Sequence, residues 1–216
     1  MQDMLPEGLN GFAWAILAVL AGASLVALTV ALFKVFQFVR LGVGRRKQPA
    51  QIVEKWLSGD GDGALKLADK RNTSTVRVLF AVLSALRSNP GDKEFAREIS
   101  TQVALDELAQ MARRMPALEA VVQAAPMLGL LGTVVGMIEA FGKLSQAEGA
   151  VDPTVLAGGI WSALITTAAG LAIAILFYFI SVWLEGRIAR ERETLERLIS
   201  TVLHGRVETR PGRTVV

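Results

Sequence analysis

Three stretches of the chain contain no Asp, Glu, Lys or Arg: Gly8 to Phe33, Ala120 to Ile138, and Pro153 to Leu184. A helix of about 20 apolar residues crosses a bilayer, so each stretch is a candidate membrane span. Between the first two, apolar positions recur with a helical period. Ile52, Val53, Trp56 and Leu57 share one face, and the run Gly59-Asp60-Gly61-Asp62-Gly63 is expected to break that helix as a plain turn. Two further helical stretches, Thr75 to Arg87 and Asp92 to Met115, flank the turn Ser88-Asn89-Pro90-Gly91. The second of them leads into the next span through Pro116. The third uncharged tract, at 1.5 Å per residue, measures roughly 48 Å against about 30 Å of hydrocarbon. It is expected to leave the membrane as one rod, on which Leu184, Ile188, Leu195, Leu198 and Val202 continue an apolar stripe that needs a partner helix.

Charge then sets a direction. Two acids and no base precede the first tract, so it lacks the basic start of a secretory signal and is expected to be retained. Lys34, Arg40, Arg45, Arg46 and Lys47 follow it, and bases that flank a span hold that end in the cytoplasm. From Arg40 to Met115 there are 14 Lys or Arg against 9 Asp or Glu. The short link from Phe141 to Thr154 carries Lys143, Glu148 and Asp152, and the tail beyond Leu184 is again arginine-rich. The reading is an all-α membrane protein of three transmembrane helices, N-out and C-in, extended by cytoplasmic helices. Its segments are a periplasmic N-terminus (1–11), span one (12–39), a cytoplasmic helical region (40–115), span two (116–142), a periplasmic loop (143–154), span three (155–184) and a cytoplasmic helix and tail (185–216).

Composition removes several kinds of chemistry. With 52% hydrophobic residues and a mean hydropathy of +0.42, this is no water-soluble monomer. The absence of cysteine excludes disulfides and thiolate sites, and one histidine, His204, is too few for a histidine metal centre. No cofactor and no bound metal are expected. A pI near 9.5 reflects the membrane-flanking bases rather than a nucleic-acid partner. Membrane lipid is the expected surrounding. The Gly59–Gly63 cluster departs from a calcium loop, with Leu65 where glycine is required. Ser24, Ser162 and Ser181 have no His, Lys or acid beside them within the spans, so no catalytic residue is expected.

The informative pattern lies in two matching stripes. Ala125, Gly129, Thr133, Gly136 and Ala140 fall on one helix face of the second span, with Gly132 nearby. Gly159, Ala163, Thr167, Gly170 and Ala174 repeat the same offsets in the third. Small residues let membrane helices approach closely, where no hydrophobic force drives association. Each stripe carries a threonine at depth. One reading gives Thr133 and Thr167 a polar path to line; the other has them bonded back to their own helix carbonyls. Glu119 and Glu139 bracket the second span at its ends, and the stem of Lys34 is expected to snorkel to the inner surface. No acid remains at the middle of any span.

The runs Ala125-Pro-Met-Leu-Gly-Leu-Leu-Gly-Thr-Val-Val-Gly-Met-Ile-Glu-Ala-Phe141 and Gly158-Gly-Ile-Trp-Ser-Ala-Leu-Ile-Thr-Thr-Ala-Ala-Gly-Leu171 resemble the signature of the MotA/TolQ/ExbB family. Three spans make the chain similar to the ExbB/TolQ branch. The resemblance implies a homopentamer around a central pore, with a dimer of single-span ExbD- or TolR-like partners inside it. A TonB- or TolA-like protein is a further implied partner. By motif position, Thr133 and Thr167 would face the partner's aspartate, and Thr166 and Ser162 would line the ion path with them. Two positions depart from the pattern: Ser162 stands where many relatives carry glutamate, and Leu176 where many carry proline after the Gly170-Leu-Ala run. The Thr166-Thr167 pair is similar to sodium-type flagellar stators, which leaves proton or sodium open. A non-conducting scaffold that holds a partner is the alternative.

Overall fold

The computed structural model describes residues 11–42, 44, 47–70, 73–145 and 153–205. Arg45, Arg46, the N-terminal ten residues, the link 146–152 and the tail beyond 205 lie outside the described residues. Among the described residues seven helices follow in order: α1 (Gly11–Leu41), α2 (Lys47–Leu57), α3 (Gly61–Ala68), α4 (Ser74–Ser88), α5 (Lys93–Ala112), α6 (Met115–Ser145) and α7 (Pro153–His204). The described residues form no strand. Three of the helices are long and apolar enough to cross a membrane; they contain the second and third uncharged tracts and the described part of the first, from Gly11. Two compact units result, one of Met1–Phe33 with Arg114–Trp183, the other of Lys34–Arg113 with Leu184–Val216.

In the first unit α1, α6 and α7 pack through small and branched side chains. Ile16 and Leu20 of α1 meet Ala125 and Ala174, with Leu128, Ala169 and Ile173 around them. Large apolar side chains such as Met127, Leu130, Ile138, Trp161 and Phe179 point outward. That inversion of the soluble pattern costs nothing where the surroundings are lipid or another membrane helix. Pro126 sits within α6. It has no N–H to donate to the preceding turn, an irregularity that membrane helices tolerate when neighbours re-satisfy the backbone.

The second unit is a small helical bundle with its own core. Ile52, Val76, Leu79, Val82 and Leu83 of α2 and α4 are fully buried, and Leu195, Ile199, Val202 and Leu203 of α7 complete the cluster. The apolar stripe beyond the third span therefore finds its partner in the short helices of its own chain, α2 and α4 among them. Arg77 of α4 clamps Glu107 of α5 through two hydrogen bonds of 2.5 Å, from Nε and Nη2. The carboxylate holds the guanidinium above its ordinary pKa.

Three local expectations change. The glycine–aspartate cluster is not only a turn: α3 begins inside it at Gly61. Asp60 caps that helix, its Oδ1 accepting the Gly63 N–H at 2.9 Å, and burial of Ala64 and Ala68 offsets the weak helix propensity of the glycines. The Asp92–Met115 helix ends earlier, at Ala112, because Arg113 turns extended (ψ 132°) and Arg114 takes a left-handed φ of 74° before α6 starts. Pro116 then falls in the first turn of α6, where its missing N–H does no harm. Lys34 does not reach outward at all. It is 0% exposed, and its ammonium donates to the Met111 carbonyl and to Gln37 Oε1.

Candidate functional site

The two small-residue stripes close on each other. α6 and α7 run antiparallel, with Ala125 opposite Gly170, Gly129 opposite Thr166 and Thr167, Gly136 opposite Ala163, and Ala140 opposite Gly159. The approach is closer than a side chain allows. A methyl on Gly129 would lie 2.8 Å from the Thr166 carbonyl oxygen and 2.9 Å from Thr167 Cα. On Gly159 it would sit 2.6 Å from Ala140 Cβ, and on Gly136 3.0 Å from Ala163 Cβ. A methyl on Gly132 would run into the Thr166 hydroxyl and approach Ile16 Cδ1 of α1 to 3.2 Å, while on Gly170 it would strike the Ala125 carbonyl. These glycines are needed for proximity rather than for unusual dihedrals.

Close approach places backbone carbonyls within reach of the opposite helix. Thr167 Oγ1 donates to Gly129 O at 2.8 Å. Thr166 Oγ1 donates to Ala163 O at 2.7 Å in its own helix and leans toward Gly129 O at 3.3 Å. Thr133 Oγ1 donates to Leu130 O at 2.7 Å, one turn back. The structure thus separates the threonines that the sequence treats alike. Thr133 bonds to its own helix and remains partly exposed, Thr167 bridges the seam and remains partly exposed, and Thr166 is wholly enclosed. Ser162, Ala163 and Ala174 are buried on α7.

The chemistry of these hydroxyls is set by what their hydrogens do. A carbonyl only accepts, so each threonine spends its single hydrogen on the backbone and retains oxygen lone pairs. Thr133 and Thr167, both partly exposed residues, therefore each keep acceptor capacity among largely apolar neighbours. Acceptors suit a cation or a proton donor. Glu119 is exposed and Glu139 partly buried near the two ends of α6. Among the described residues no group of three or more His, Cys, Asp or Glu side chains is placed to hold a metal ion.

Sequence reasoning missed the shared acceptor, because a backbone carbonyl carries no letter. It also missed Glu191, a buried carboxylate on α7 that accepts from Thr75 Oγ1 at 2.8 Å, from Ser74 Oγ at 3.2 Å and from the Gly44 N–H at 3.4 Å. Only its position on the inner face of the stripe that includes Leu184, Leu195 and Val202 distinguished it in the sequence.

A helical membrane protein whose second and third spans interlock through glycine, alanine and threonine is the class these features define. The profile of the MotA/TolQ/ExbB proton channel family matches residues 70–197, and the chain belongs to that family. It is 33% identical over 133 residues to the ExbB homolog of Methanothermobacter thermautotrophicus, covering 62% of this chain and 46% of that one. It is 34% identical over 158 residues to the ExbB-like protein 1 of Synechocystis sp., covering 70% and 59%. The chain thus spans about half the length of these relatives. A shorter match, 43% over 75 residues, joins it to the biopolymer transport protein exbB1 of Vibrio cholerae, at 33% of each chain. The flagellar MotAB stator complex of Bacillus subtilis shares the fold, with a TM-score of 0.54 at 22% identity, covering 93% of this chain and 81% of that one.

Proposed function

We propose that this chain is an ExbB/TolQ-like stator subunit of an ion-driven motor in a bacterial inner membrane. Five copies would surround a pore lined by α6 and α7, with the N-terminus outside and the C-terminal helix in the cytoplasm. Two copies of an ExbD- or TolR-like single-span partner would occupy the pore and supply the carboxylate that the middle of this chain's spans lacks. Proton or sodium movement would shift the partner, and a TonB- or TolA-like protein would pass the motion to the envelope. The observation that carries the reading is the pair of acceptor oxygens, Thr133 and Thr167, on two helices of this family. A unit charge crossing 100 mV supplies about 2.3 kcal/mol, so useful work needs several ions per stroke.

A non-conducting scaffold is the second reading, favoured by Ser162, which is buried and uncharged where many relatives carry an acid. Reconstitution with the cognate partner separates the two. The motor requires a particle of five times the 23.2 kDa chain plus two partners. It also requires ion flux that Thr133→Val and Thr167→Val each suppress. A stable 5:2 particle that passes neither protons nor sodium would establish the scaffold.

A further inference from the structure

Helix α5 ends in an unusual way. The last four carbonyls of a helix have no partner within it, and in α5 these belong to Ala109, Gln110, Met111 and Ala112. Arg113 N–H takes the first, at 2.9 Å. In a helix closed by a left-handed residue, the chain's own next amides normally return to the following two. Here the extended Arg113 turns the chain away, and the donors come from α1. Gln37 Nε2 donates to Gln110 O at 3.2 Å, and Lys34 Nζ donates to Met111 O at 2.5 Å. Gln37 also accepts from Lys34, which joins the two into one unit.

We propose that Lys34 and Gln37 are the C-terminal cap of α5, provided from another helix, and that they fix where α5 ends. A lysine wholly withdrawn from solvent is costly unless its charge is met. The negative end of a helix, with two bare carbonyls, meets it. The arrangement makes the last turn of α5 depend on α1, so this turn loosens if the first helix shifts or loses its polar pair. The proposal goes beyond the conduction reading and does not depend on it.

Amide hydrogen exchange on the full chain in lipid nanodiscs tests the cap. Lys34→Met keeps the stem and removes the donors; Gln37→Leu removes the weaker donor and disturbs packing less. Exchange over residues 106–113 is expected to accelerate at least ten-fold in Lys34→Met and several-fold in Gln37→Leu, while residues 74–88 keep the parent rate. Unchanged exchange over 106–113 in both variants would overturn the cap. So would acceleration of 74–88 in step with 106–113, which marks general loosening of the bundle. Should Lys34→Met fail to fold, Gln37→Leu alone decides by the same criterion.

Discussion

Gly159→Ala places a methyl on α7 at 2.6 Å from Ala140 Cβ on α6. Ordinary methyl contacts begin near 3.5–4.0 Å, so the helices must part by roughly 1 Å or bend locally. Overpacking of this kind costs about 1–3 kcal/mol. For a chain of this size each kcal/mol corresponds to about 2–4 °C in Tm. The single substitution is therefore expected to lower the apparent Tm of the purified assembly by about 2–12 °C. The structure also names the remedy. Ala140→Gly removes the opposing methyl, and the next atoms a Gly159 methyl would meet are Ala140 Cα at 3.5 Å and Gly136 O at 3.9 Å, both ordinary distances. The double variant only moves a methyl from one helix to the other, so the intrinsic helix cost of glycine, about 0.5–1 kcal/mol, cancels. Differential scanning fluorimetry of the parent, both singles and the double completes the cycle. Recovery of most of the lost Tm in the double confirms the 140–159 pairing. A harmless Gly159→Ala, or a double no better than the worse single, would refute the antiparallel register on which the seam rests.

Thr167→Val keeps the shape and deletes the bond to Gly129 O; interhelical hydrogen bonds in membranes average about 0.6 kcal/mol, so Tm should fall only slightly while ion flux is lost. A large Tm loss would assign the hydroxyl to packing instead. Glu191→Leu strips Ser74 and Thr75 of their acceptor and is expected to cost about 2 kcal/mol, seen as faster amide exchange in the first turn of α4; unchanged exchange there would remove Glu191 from the structural core. Asp60 is held below its ordinary pKa by hydrogen bonds from Lys55 and from the Gly63 N–H. A depressed carboxylate stabilises above its unfolded pKa of about 3.9 and stops doing so as the pH falls through the lowered folded value. Residues 61–68 should therefore hold their exchange protection, relative to Asp60→Ala, at pH 6 and lose that advantage in strong acid. An advantage independent of pH would mean that the cap works without its charge.

Much of the architecture was legible because membrane burial writes itself in long uncharged runs. Gly8 to Phe33 and Pro153 to Leu184 admit hardly any other reading, and the matching offsets of Gly129, Gly136, Gly159 and Gly170 announce close helix contact. Sequence could not decide which stripe meets which, since a stripe facing a pore and a stripe facing a neighbour share one periodicity. Contact geometry resolves that ambiguity in favour of each other. The start of α3 was hidden because glycines read as breakers, yet a capping aspartate directly after Gly59 outweighs them. Lys34 misled for a different reason. Lysine at the end of a span usually reaches for water, and nothing in the sequence shows that a helix end waits beside it.

The seam bears on the ion path proposed for the hydroxyls. If α6 and α7 spend their small residues on each other, those residues no longer provide an open channel between the two helices of one chain. Under the proposed function, polar lining would come from residues that remain partly exposed after the seam has closed; Thr133 and Thr167 are partly exposed and Thr166 is buried. Both have surrendered their hydrogens to carbonyls, so neither oxygen can donate to an anion without breaking a bond of 2.7 or 2.8 Å. A protonated carboxyl or a sodium ion needs the lone pairs that remain. The same close packing that makes the glycines indispensable thus also orients the threonines, and the ion path proposed past them rests on the helix contact that Gly159→Ala tests.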